Sequence, residues 1–168
     1  MKKRILTAVL AAALVTGTCA ATVSAKEEKT YTIGICQLVQ HDALDAATKG
    51  FEDAITEKMG DSVKFDEQNA QGDSNTCSTI INSFVSEGAD LILANATASL
   101  QAAAAGTSDI PILGTAVTEY GVALGIDDFD GTVGGNISGT SDLAPLDEQA
   151  DMLHELFPDA KNVGLLYC

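Results

Sequence analysis

Two short apolar runs limit what this chain can fold into: Gly88-Ala89-Asp90-Leu91-Ile92-Leu93-Ala94-Asn95-Ala96-Thr97 and Asp109-Ile110-Pro111-Ile112-Leu113-Gly114-Thr115-Ala116-Val117-Thr118. Neither alternates between apolar and polar residues. Such a run suits a strand covered on both faces, which is how a parallel sheet is buried beneath helices. Each run closes on small residues. In an open α/β sheet, ligands bind beyond the carboxyl ends of the strands. Asn95, Ala96 and Thr97, with Ala116, Val117 and Thr118, are therefore the first candidates for a binding rim. The purely structural role open to Thr97 is that of a helix cap.

The amino terminus reads as an export signal. Lys2, Lys3 and Arg4 precede an apolar run, Ile5 to Val15, that is short for a bilayer span, and Val23-Ser24-Ala25 offers a small-residue cleavage site. Cleavage is expected after Ala25, which makes residues 1–25 a signal peptide. Acylation of Cys19 is disfavoured, because Thr18 stands where a lipobox usually has Gly, Ala or Ser. The mature chain keeps 143 of 168 residues, about one domain's worth. It carries six basic and 24 acidic residues, a formal charge of −18 against −15 for the whole sequence. Such a surface repels nucleic acid and anionic lipid. No second stretch is apolar enough to span a membrane. Cys36, Cys77 and Cys168 remain after cleavage, an odd number at wide spacing that is no disulfide framework. Cys36 and Cys77 read as small buried hydrophobes, with a bridge between them left open.

Within the mature chain, Tyr31 to Cys36 reads as a first strand, followed by a loop, Gln37 to His41. A helix is expected from about Ala43 to Met59, with Leu44, Ala47, Phe51, Ala54, Ile55 and Met59 on one face, Asp42 as its cap and Gly60 as its stop. Ser62 to Ala70 alternates like a strand near a sheet edge. After the turn Gly72-Asp73-Ser74-Asn75, a second helix carries Cys77, Ile80, Ile81, Phe84 and Val85 as its apolar stripe and ends at Gly88. The third strand is Leu91 to Ala94. An alanine-rich helix, Ala98 to Ala105, stops at Gly106, and Pro111 starts the fourth strand. Val122 to Ile126 is expected as a short fifth strand, and Asp127 to Ser141 as a glycine-rich irregular stretch. Strands alternating with helices imply an α/β fold with a doubly wound parallel sheet. A last helix, about Ala144 to Phe157, is expected to bury a face of Leu146, Gln149, Ala150, Leu153, Leu156 and Phe157, and Asn162 to Cys168 reads as a buried strand. Stopping inside a strand is what a fragment of a longer protein would show.

Catalytic motifs find no support. The sequence has neither a Gly-x-Ser-x-Gly elbow nor a Walker loop. Asp128-Phe129-Asp130-Gly131 resembles part of a calcium loop, but Ile126 and Ile137 then fall at essential ligand positions. His41 and His154 are far apart, and no ligand-spaced Cys accompanies them, so no metal site is expected. Asp42 and Asp45 suit the start of a helix. No catalytic residue and no cofactor is assigned; small neutral rim residues suit holding a ligand better than transforming it.

The order of motifs resembles the amino-terminal half of the periplasmic-binding-protein-like ABC transporter substrate-binding family that includes tryptophan and tyrosine binders. The matching pieces are Ile33-Gly34-Ile35-Cys36-Gln37, His41 to Ala47, Asn69 to Asp73, Ala89 to Thr97, Ile110-Pro111-Ile112, Ala116-Val117-Thr118 and Asn136 to Asp142. The chain departs from the family at Ala98, where proline is common, and at Glu119-Tyr120, where Asp-Pro is common. The resemblance implies a first ligand-binding lobe over residues 26–141 and the start of a second lobe over 142–168. It implies ligand contacts at Gln37, Leu38, Asn95, Ala96, Thr97, Val117 and Thr118, and a crossover hinge at Asn136 to Thr140. Its implied partners are a small amino-acid-like solute and an ABC permease with its ATPase. A receptor's ligand-sensing ectodomain is the alternative, and an exported α/β enzyme is less favoured.

Overall fold

The computed structural model describes residues 29–165. The expected signal peptide, Cys19 and Cys168 lie outside them. Strand β1 (Tyr31–Gln37), helix α1 (Asp42–Met59), β2 (Val63–Asn69), α2 (Ser74–Glu87), β3 (Leu91–Asn95), α3 (Thr97–Gly106), β4 (Ile112–Val117), α4 (Tyr120–Leu124), β5 (Ile137–Ser141) and α5 (Leu146–Leu156) follow in that order. The strands form one sheet, ordered β2-β1-β3-β4-β5, and every neighbouring pair is parallel. The doubly wound α/β architecture is thus present, and β1 to β4 lie within a residue or two of their expected positions.

Neighbouring strand residues face opposite sides of the sheet, which gives two cores. Ile33, Ile35 and Leu93 meet Phe51 and Ile55 of α1 and Phe65 of β2. Cys36, Ile92, Ala94, Ile112 and Val117 belong to the other core, with Cys77, Ile80, Ile81 and Phe84 of α2 and Leu100, Ala102 and Ala103 of α3. Cys36 and Cys77 are buried free thiols. Their sulfurs lie 3.5 and 3.6 Å from the Ser99 hydroxyl oxygen, and burial pushes the Cys36 thiol up to about 12.

Two helix boundaries follow the expected chemistry. Asp73 caps α2 by accepting the Thr76 N–H at 2.7 Å, and Gly88 ends it in the left-handed conformation at φ 74°. The cap of α1 is His41 rather than Asp42: its Nδ1 accepts the Ala43 N–H at 3.2 Å. Asp42 becomes the first helical residue, where its charge meets the positive end of the helix dipole. On α1's apolar stripe, Ala54 is exposed and Thr48 is buried instead.

Three expectations fail past Thr118. Val122 to Ile126 is not a strand: Tyr120–Leu124 forms α4. The Glu119 carboxylate accepts the N–H groups of Gly121 and Val122 at 2.9 and 2.6 Å, and Gly125 stops the turn at φ 65°. An apolar run this short has no periodicity to separate helix from strand. Secondly, Ile137–Ser141 is strand β5, paired with β4, and not part of an irregular stretch. Asn136 leads into it, its amide donating to the carbonyls of Thr107 and Ile110. Glycine is required there by packing: a Cβ on Gly114 or Gly139, opposite each other in register, would collide with the Tyr120 hydroxyl, which itself donates to the Thr140 carbonyl at 3.2 Å. Thirdly, α5 buries nothing. Leu146, Gln149, Ala150, Leu153, Leu156 and Phe157 are all exposed, and described residues 161–165 form no strand. The helix has an apolar stripe, but none of its residues is buried among the described ones.

Candidate functional site

All five strands run the same way, so their carboxyl ends share one edge. Gln37 stands opposite both Asn69 and Asn95, Asn95 opposite Thr115, and Val117 opposite Ser141. The loops after Gln37, Asn95 and Val117 therefore gather on that edge, the position expected of a binding rim.

The seven sequence-selected residues meet there in two classes. Thr97 and Thr118 are exposed and Leu38 is half-buried. Gln37, Asn95, Ala96 and Val117 are buried. Val117 faces the apolar core, and its carbonyl accepts the Asp142 N–H at 3.2 Å. Gln37 and Asn95 are at most 2% exposed, and their amides are tied to α1. The Gln37 amide nitrogen donates to Asp45 at 2.6 Å and to the Val39 carbonyl at 3.0 Å. The Asn95 amide nitrogen donates to the Leu44 carbonyl and to the Thr48 hydroxyl, both at 2.9 Å. Sequence reasoning missed Thr48, although its spacing of four from Leu44 and three before Phe51 puts it on the buried stripe.

Backbone conformation marks the same edge. Gln71, Ala96 and Ala116 have φ of 54°, 91° and 52°, and follow or close strands β2, β3 and β4. Ala96, at φ 91° and ψ 161°, occupies a region that is essentially glycine-only. It takes the cap position of α3 with no side chain to cap it, while Thr97 is the first helical residue rather than the cap. The N–H groups at the start of a helix have no intrahelical acceptor. Ser99 is fully buried, but those of Thr97 and Ala98 stay available at the positive end of the helix dipole, an arrangement suited to an anion. Nothing in the sequence around Ala96 signals its backbone angle. Replacing Ala96 with glycine is expected to stabilise the chain by about 1 kcal/mol, the relieved strain exceeding glycine's entropy cost. Urea unfolding checks this, and a lowered midpoint would show that Ala96 is unstrained.

A cavity of about 500 Å³ opens beside β5, lined in part by Thr118, Tyr120, Phe129, Val133 and Ser141. Of the seven selected residues only Thr118 reaches it. Glu119 and Tyr120 are fixed here by structure: one caps α4, and the other is seated over Gly114 and Gly139. Burial, helped by the nearby Asp142 charge, raises the Tyr120 phenol above its ordinary value.

Comparison with known proteins gives this edge its context. The sequence model described as ABC transporter substrate binding protein matches residues 32–168. A tyrosine-binding protein of Clostridioides difficile (strain R20291) is 46% identical over 143 residues, covering 83% of this chain and 41% of the relative. Among solved structures, the ligand-free, open form of a Clostridium difficile substrate-binding protein with adhesive properties aligns at TM-score 0.69 and 43% identity, over 79% of this chain and 45% of that one. An ABC domain from Streptococcus pneumonia in complex with L-Trp aligns at TM-score 0.70 and 33% identity, over 78% and 45%. The chain thus spans less than half the length of these relatives, and its fold is that of periplasmic binding proteins of type 1. By the match over residues 32–168 and by these relatives, the chain belongs to the ABC transporter substrate-binding family.

Proposed function

We propose that residues 26–141 are the first lobe of an exported solute receptor that holds a small amino-acid-like ligand between two lobes and serves an ABC permease and its ATPase. The observation that carries this reading is the uncapped start of α3, set by the strained Ala96 backbone at the shared edge of the strands. The accessible N–H groups of Thr97 and Ala98 and a helix dipole suit a carboxylate. Thr97 and Thr118 add hydroxyls beside it, and the Leu38, Asn95 and Val117 positions shape the rim. The relatives described as tyrosine-binding and as bound to L-Trp support an amino acid as the ligand class. A cleft ligand has about 70–90% of its surface covered, more than one open edge supplies. The exposed apolar face of α5 supports reading residues 142–168 as the start of the second lobe. Among the described residues no helix is long and apolar enough to cross a membrane.

The test is thermal shift and calorimetry on the full-length protein against an amino-acid panel. A ligand at about 100 times its Kd adds about 2.7 kcal/mol of stability. Tyrosine or tryptophan is expected to give such a shift, and residues 26–168 alone to bind weakly. Absence of stabilisation by every amino acid overturns the reading.

A further inference from the structure

We infer that Thr48, buried in α1 behind the exposed part of the rim, is the residue that positions it; the consequence for ligand binding rests on the function proposed above. Thr48 lies inside α1 at 3% exposure. A threonine in a helix commonly turns its hydroxyl back to the carbonyl four residues earlier. Here that carbonyl, at Leu44, is taken by the Asn95 amide at 2.9 Å. The Thr48 hydroxyl turns to the sheet instead. It donates to the Gln37 side-chain oxygen at 2.7 Å and accepts from the Asn95 amide at 2.9 Å.

One hydroxyl therefore joins the last residues of β1 and β3. It also settles which way both amides face. With its oxygen held by Thr48, the Gln37 amide must direct its nitrogen to Asp45 and the Val39 carbonyl. With its nitrogen held by Leu44 and Thr48, Asn95 is left with a buried side-chain oxygen that has no partner. The backbone repeats the link: the Leu38 N–H donates to the Asn95 carbonyl at 3.2 Å, and the Ala70 N–H to the Gln37 carbonyl at 2.8 Å. The loops that begin at Leu38 and at Ala96 leave from this one junction. If the hydroxyl is lost, the Gln37 oxygen keeps only the Asn95 amide at 3.4 Å. Two strand ends then lose their common tie to α1.

The experiment compares the full-length parent with Thr48→Val, Thr48→Ser and, as a control for general destabilisation, Ile81→Val in the opposite core. Valine keeps the shape and removes the hydroxyl; serine restores it. Amide hydrogen exchange at Leu38 and Ala70 is expected to speed up about tenfold in Thr48→Val and to stay near the parent in Thr48→Ser. Ile81→Val is expected to leave those two amides unchanged. Kd for L-tyrosine or L-tryptophan is expected to rise about tenfold in Thr48→Val alone. Unchanged exchange at Leu38 and Ala70, or an equal change in Ile81→Val, overturns the positioning role whether or not an amino acid binds. Failure of serine to restore the parent behaviour overturns it too. Faster exchange with an unaltered Kd overturns the link to the ligand. A parent that binds no amino acid sinks the proposed function, while the exchange data still decide the role of Thr48.

Discussion

A Thr97→Asp substitution in the full-length protein is expected to weaken amino-acid binding by about 100-fold without loss of stability. Thr97 is exposed and is the first helical residue of α3, which has no side-chain cap. An aspartate there places its carboxylate beside the N–H groups that the ligand's carboxylate is proposed to use. Like charges brought together at a binding surface cost several kcal/mol, and each 1.4 kcal/mol is tenfold in Kd. The same charge interacts favourably with the helix dipole, by about 0.3–1 kcal/mol. Affinity and stability should therefore move in opposite directions, which general damage to the fold cannot produce. Thr97→Asn, similar in size and uncharged, should stay close to the parent in both. Calorimetry with tyrosine and tryptophan reads the first effect, and thermal unfolding without ligand reads the second. If Thr97→Asp binds as tightly as the parent, the carboxylate does not sit at α3.

How far the sequence reveals this site depends on which interactions build it. Strands β1, β3 and β4 could be placed because both their faces are covered and they are largely apolar as a result, and β2 because it alternates as a strand at the sheet edge does. The helix caps at Asp73 and Gly88 follow rules that operate over three or four residues. Strand β5 escaped because its side chains contribute almost nothing to a core. Ser138, Gly139, Thr140 and Ser141 are exposed, and the strand exists through its backbone pairing with β4 and the seat it gives Tyr120. Both are contacts between residues distant in sequence, which no local pattern encodes. The same holds at the rim. The sequence placed Gln37 and Asn95 at the carboxyl ends of β1 and β3, where they lie. That their amides turn inward toward Thr48 is a property of how α1 packs across β1 and β3. The strained backbone of Ala96 is hidden for a related reason. Glycine would have announced the angle, and alanine does not.

Phe84→Ala should be the most destabilising single change in this lobe, costing about 3–5 kcal/mol, and should leave the rim intact. Phe84 is 1% exposed on α2, and its ring lies directly over β1 where Gly34 has no side chain. A Cβ built on Gly34 would come within 2.6 Å of the ring's Cγ, so helix and strand approach each other only because one residue is large and the other has no side chain. Truncating the ring opens a cavity that the sheet cannot collapse to fill, since β1 is paired on both sides with β2 and β3. Gly34→Ala produces the opposite fault, crowding, at about 1–3 kcal/mol. In the double variant the new methyl enters part of the space left by the ring. The two costs should then fall short of their sum, and urea unfolding of all four members of the cycle measures the difference as a coupling. Additive costs would mean that Phe84 and Gly34 do not share this contact. Below the onset of its unfolding transition, the Phe84→Ala protein should bind amino acids with the parent's Kd. That separates the packing that holds α2 on the sheet from the hydrogen bonds that hold the rim.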